Sequence, residues 1–135
     1  MSRCTPAPVT AGLDLTTPTV AFKADIVPIY EVSCGLTSCH GSTSASNGVF
    51  LGKGQPDVVY AGLVGKPSGK YTKQTFVVAG DPKASFLMRK LDADLCTLEC
   101  GSAGCGDSMP RNNESLPEES RNKFRRWIAQ GAKFN

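Results

Sequence analysis

Apolar residues recur at helical steps in several short segments of this chain, separated by polar, Gly- and Pro-bearing stretches. From Val20, the residues Phe22, Ile26, Ile29 and Tyr30 follow one another at three- and four-residue intervals, as the buried stripe of a helix does. Thr19 is the natural N-cap for this helix, and Pro28 predicts a kink or an early stop. A second group, Val58, Val59, Leu63 and Val64, follows Gln55-Pro56-Asp57 and predicts one or two helical turns. Phe76-Val77-Val78 reads as a brief extended segment before a turn at Gly80-Asp81-Pro82. With Asp81 as cap and Pro82 at the first helical position, the pattern Phe86, Leu87, Leu91 predicts a third helix beginning near Pro82. The last helix has the fullest signature: Ser115 as cap, Pro117, acids at Glu118 and Glu119, an apolar face of Phe124, Trp127 and Ile128, and Gly131 as terminator. Gly41 to Asn47 and Lys66 to Lys73 read as loops. The first 19 residues, with Pro6, Pro8 and Pro18, predict an extended arm or tether, leaving residues 20–135 as a single domain.

Composition narrows this picture. A chain of 135 residues with 40% hydrophobic and 7% aromatic residues has material for one domain with a small core. The net charge of +3 is far from the basic face that phosphate neutralisation demands, so nucleic acid is not an expected partner. No apolar run approaches the about 20 residues needed to cross a bilayer, and a monomer is expected. Arg121, Lys123, Arg125 and Arg126 on the last helix read as a solvated basic face, with docking of an acidic redox partner as the functional reading.

Six cysteines in so short a chain change the picture more. They indicate an oxidising compartment, or a metal or cofactor. With a single histidine and no second close cysteine pair at finger-like spacing, structural zinc does not fit. Met1-Ser2-Arg3 is too short for an export signal, so the sequence reads as a mature form from which a leader is absent. Cys4, before Thr5-Pro6-Ala7-Pro8, suits either a lipid tether through its sulfur or half of a disulfide.

The candidate chemistry lies in Cys34-Gly35-Leu36-Thr37-Ser38-Cys39-His40. Two cysteines, the second followed directly by histidine, form the layout for covalent c-type haem attachment: both thiols add to porphyrin vinyl groups and the histidine supplies the proximal imidazole nitrogen. The spacer here is four residues instead of the usual two, so the loop must bulge. Taken alone, the motif also admits a local disulfide between Cys34 and Cys39 beside an exposed His40.

The order of the other segments resembles a class I cytochrome c domain. The resemblance runs over most of the chain after Val20: Phe22 with Asp25-Ile26-Val27-Pro28-Ile29, then Cys39-His40-Gly41, Tyr60-Ala61-Gly62-Leu63-Val64, and Val78-Ala79-Gly80-Asp81-Pro82-Lys83-Ala84-Ser85-Phe86-Leu87. Cys105-Gly106, Met109-Pro110 and Trp127-Ile128-Ala129-Gln130-Gly131-Ala132 complete it. The resemblance implies an all-α, cytochrome c-like fold of short helices around one haem c held through Cys34 and Cys39. It further implies iron ligation by His40 and Met109. The choice of Met109 also follows from the residues: Met1 is terminal, Met88 belongs to a helical apolar pattern, and Met109 stands in a polar loop with little packing reason. His/Met ligation raises the reduction potential, and an iron covered on both faces suits a carrier of single electrons between redox protein partners better than an enzyme. Cys96, Cys100 and Cys105 would brace the Met109 loop, and four non-haem cysteines allow three pairings. Tyr60, Tyr71, Phe76 and Trp127 are candidates to touch the ring or to pack among themselves. The implied location is periplasmic or otherwise extracytoplasmic. Two alternatives stand beside the carrier: a haem enzyme or gas sensor with a displaceable distal ligand, and a haem-free, disulfide-stapled binding module.

Overall fold

A computed structural model describes residues 6–35, 40–41, 49–68, 71, 73–101, 104–110 and 115–135. It is all-α: the described residues form helices and no strand, with only isolated pairings at Val64–Val77, Pro67–Thr75 and Thr75–Ser85. Helix α1 spans Val27–Ser33, α2 Pro56–Leu63, α3 Phe86–Leu91 and α4 Glu118–Ala129, and a π-helical turn at Phe22–Ile26 leads into α1. No helix among the described residues is long and apolar enough to cross a membrane.

The sequence periodicity around Phe22 and Ile26 is realised, but two details differ. Thr19 does not cap this element. The N-cap is Ala21, whose own N–H donates to the Asp25 carboxylate at 2.8 Å. Pro28 falls in the first turn of α1, where its missing N–H has no intrahelical partner to lose, so it marks the change from the π-turn to α-helix. Phe22, Ile26 and Tyr30 are fully buried and meet Val59 and Leu63 of α2, Met88 and Leu91 of α3, and Phe124, Trp127 and Ile128 of α4. Phe22 is the centre of an aromatic group, with ring centroids 5.1 Å from Trp127, 5.5 Å from Tyr60 and 6.0 Å from Tyr30. A smaller cluster joins Tyr71, Phe86, Leu95, Cys100 and Cys105.

Helix α3 starts four residues later than predicted. Asp81 does act as a cap, its Oδ1 accepting the Ala84 N–H at 3.1 Å, but it caps an isolated turn. Ser85 is extended, and the Phe86 N–H is committed to the Thr75 carbonyl at 2.9 Å, so helical geometry cannot begin before Phe86. The extended segment expected at Phe76-Val77-Val78 supplies such pairings without becoming a strand: Phe76 N–H reaches the Lys66 carbonyl and Val77 N–H the Leu63 carbonyl.

Helix α4 begins after Pro117, and Ser115 is not its cap. Its far end is a Schellman closure: the Gly131 N–H donates to Ile128 O at 3.0 Å and the Ala132 N–H to Trp127 O at 2.9 Å, with Gly131 at φ 107°. The expected solvated basic face needs correction. The Arg121 side chain is 3% exposed and donates to Asp92 Oδ1, the Leu116 carbonyl and the Pro8 carbonyl. Arg125 grips the same Asp92 carboxylate with both guanidinium nitrogens, at 2.7 and 3.0 Å. Asp92 closes α3, so this buried trio locks α3 to α4.

The arm, irregular as predicted, lies along α4 rather than standing away from it. Arg126 donates to Asp14 O, Gln130 donates to the carbonyls of Leu15 and Pro18, and Val20 N–H returns a bond to Gln130 Oε1. At Asp14 the chain turns on a carboxylate that accepts from the hydroxyls of Thr17 and Thr16 and from the Thr16 N–H. These bonds, that from Thr17 first, hold its carboxyl well below the usual carboxylate range.

Candidate functional site

The site is built outward from the end of α1. The N–H groups of Cys34 and Gly35 both reach the Tyr30 carbonyl at 2.8 Å, closing the helix and leaving Cys34 part-buried against the main core. The chain then passes too close to its neighbours for any side chain. A Cβ at Gly35 would lie 2.7 Å from Leu51 O and 2.9 Å from Glu31 O. His40 is tied to both sides of this crossing: its N–H donates to Cys34 O at 3.2 Å, and its carbonyl accepts the Leu51 N–H at 2.7 Å. Cys34 and His40 are therefore brought together through their backbones. Cys39 lies outside the described residues, as does Cys4, and with them the Cys34–Cys39 pairing alternative and the tether.

His40 Nδ1 is 3.0 Å from the Val49 carbonyl. A carbonyl only accepts, so this contact assigns the proton to Nδ1 and leaves the lone pair on Nε2. Burial pushes the imidazole pKa below its ordinary value, the Val49 bond opposes that shift, and the positive charge of Lys90 adds to it. The Val49 bond thus fixes one tautomer, the arrangement that second-partner hydrogen bonds give to metal-binding histidines.

Met109 approaches from the other side of the sequence. It is part-buried, and its N–H donates to the Lys90 carbonyl at 3.0 Å. The loop before it is fastened at several points. Cys105 is disulfide-bonded to Cys100, and the Lys90 ammonium donates to the carbonyls of Cys105 and Asp107 at 2.6 and 2.7 Å. Gly106, at φ 77°, lets the chain pass Tyr71, whose hydroxyl would lie 2.5 Å from a Cβ there. The expected bracing of this loop by a local disulfide is thus present, as Cys100–Cys105, and Cys96 is disulfide-bonded too. Lys90 is thus the side chain that holds the Met109 loop to α3.

Met88 is 1% exposed within the core, which leaves Met109 as the methionine set in a polar loop. Tyr60 and Trp127 bond the Ala132 and Lys133 carbonyls and pack in the aromatic group, while Tyr71 stacks edge-on to Phe86. Lys90 escaped the sequence reading, since a lysine beside Leu91 in a short amphipathic helix carries no sign of its loop contacts. A surface cavity of about 260 Å³, lined by Pro18, Thr19, Val20, Asp25, Glu119, Lys123 and Arg126, lies between arm and α4 and includes no predicted site residue. Among the described residues no three His, Cys, Asp or Glu side chains converge as ligands for a bare ion. A porphyrin, which supplies four nitrogens of its own, asks the protein for only two ligands. No protein-family model matches the chain, and neither a characterised protein nor a solved structure shows significant similarity to it.

Proposed function

We propose that this protein is a monohaem c-type cytochrome with a cytochrome c-like fold, passing single electrons between redox proteins in an oxidising, extracytoplasmic compartment. The observation that carries the reading is the His40 imidazole, half-buried, neutral, and held by the Val49 carbonyl so that Nε2 is its ligand atom. The adjoining Cys34, the methionine loop fastened to Lys90 and the all-α packing support the same reading, and the Cys100–Cys105 disulfide supports the compartment.

The residues divide the work as follows. The thiols of Cys34 and Cys39 would each add S–H across a vinyl group, fixing the ring covalently, and Gly35 allows the close backbone approach at the start of that segment. His40 Nε2 and Met109 Sδ would be the protein atoms that hold the iron. Haem iron, when bound, supplies the one-electron couple between ferric and ferrous states. Val49 holds the imidazole orientation, and the braced loop from Cys105 to Met109 keeps the thioether in place against water. A neutral nitrogen and a soft sulfur favour the ferrous state, which suits a carrier working at moderately high potential.

The test is carbon monoxide binding by the chain matured with haem-attachment machinery. The native ferrous protein is expected to bind the gas slowly or not at all and to show a thioether-to-iron absorption band in the ferric state. Met109→Ala is expected to lose the band and bind carbon monoxide promptly. Prompt binding by the native protein would replace the carrier with an enzyme or sensor, and a matured chain without haem would remove both.

A further inference from the structure

We infer that Lys90 is the positioning residue for the Met109 sulfur: one side chain and its own carbonyl together hold the segment from Cys105 to Met109 in place. This rests on the proposed cytochrome reading for its functional meaning, while the loop contacts stand on the structure itself.

Three hydrogen bonds make the case. The Lys90 ammonium donates to Cys105 O at 2.6 Å and to Asp107 O at 2.7 Å, two carbonyls that flank Gly106, while the Lys90 carbonyl accepts the Met109 N–H at 3.0 Å. The loop is therefore pinned at residues 105, 107 and 109 by a single residue of α3. The ammonium also lies over the rings of Phe86 and Tyr71, at 5.1 and 5.4 Å, which fixes its direction. Tyr71 in turn stands against Gly106, where only a glycine fits. Backbone carbonyls that meet an ammonium form charge-assisted bonds, stronger than the neutral contacts that ordinarily hold a loop. A charged donor is the right device here, because the loop offers carbonyls from an irregular segment that no helix or sheet can satisfy. Lys90 thus places the segment that carries Met109.

The test uses the full chain, with Lys90→Leu removing donor and charge and Lys90→Arg restoring both in different geometry. Amide hydrogen exchange at Asp107 to Met109 reads the loop whether or not haem is present. Lys90→Leu is expected to speed it about tenfold, with Lys90→Arg recovering part of the protection. In the haem-bearing protein Lys90→Leu is expected to weaken the thioether-to-iron band, with far-UV circular dichroism unchanged. Lys90→Arg is expected to recover the band. Exchange within twofold of wild type in Lys90→Leu would overturn the positioning role. An unchanged band would overturn its bearing on the iron. A colourless wild-type chain would defeat the cytochrome reading alone, since exchange still decides the loop. If Lys90→Leu does not fold, Lys90→Gln, too short to span both carbonyls, carries the same comparison.

Discussion

Burying a phenol without a hydrogen-bond partner costs stability, and Tyr30 does this: it is 1% exposed and its hydroxyl has no partner among the described residues. Burial, with the Glu31 charge as a lesser cause, pushes its pKa up from 10.0 to about 12. A group whose folded pKa is raised contributes stability that is fully present below the unfolded value and is lost as pH climbs through the folded one. Denaturant midpoints are therefore expected to fall between pH 10 and about 12, and Tyr30→Phe is expected to flatten that decline. At pH 7 the same variant should be neutral or more stable by about 1 kcal/mol, because no bond is lost. Asp92 is the opposite case, a buried carboxylate answered by Arg121 and Arg125. Asp92→Asn leaves two guanidinium groups without their counter-charge and is expected to cost about 3 kcal/mol in chemical denaturation. The burial of Tyr30 was legible in the apolar spacing of its helix, whereas the ion-paired Asp92 was not. Charge on an amphipathic helix ordinarily faces water, and only the approach of α3 to α4 turns Arg121 inward.

At the scale of elements, the apolar spacing located each helix of the described residues, while capping chemistry misled at three starts. Thr19, Pro82 and Ser115 are good first-turn residues by preference, yet Asp25, the Thr75 carbonyl and Pro117 decide where the backbone becomes helical. Such preferences are each worth only about 1 kcal/mol, so a competing hydrogen bond or a proline is enough to override them. The end of α4 was legible, since Gly131 supplies the positive φ its closure needs. Gly131→Ala is expected to destabilise the chain by about 1 kcal/mol in thermal or chemical unfolding. The Cys100–Cys105 bridge closes a short loop. Replacing both cysteines with serine is expected to lower stability by roughly 2 kcal/mol and to raise protease sensitivity around residues 104–109.

Across the molecule, a core of Phe22, Tyr30, Trp127 and their neighbours joins α1 to α4, and the N-terminal arm is strapped to α4. The candidate site draws on two segments: Cys34 and His40 follow α1, and Met109 lies in the loop after α3. The closeness of Cys34 and His40 was legible in sequence, because the two lie on one short segment that a backbone hydrogen bond closes. The second segment was readable only in part: Met109 stands out against polar neighbours, but the lysine that fastens its loop acts through backbone carbonyls, which leave no trace in side-chain pattern. The central claim is that Cys34 and Cys39 carry one haem beside His40, and it is tested most directly by mass spectrometry of the denatured, protease-digested chain after maturation. The prediction is a single peptide containing both cysteines whose mass exceeds the unmodified sequence by one haem. A peptide of unmodified mass, or one lighter by two hydrogens from a Cys34–Cys39 disulfide, would contradict it.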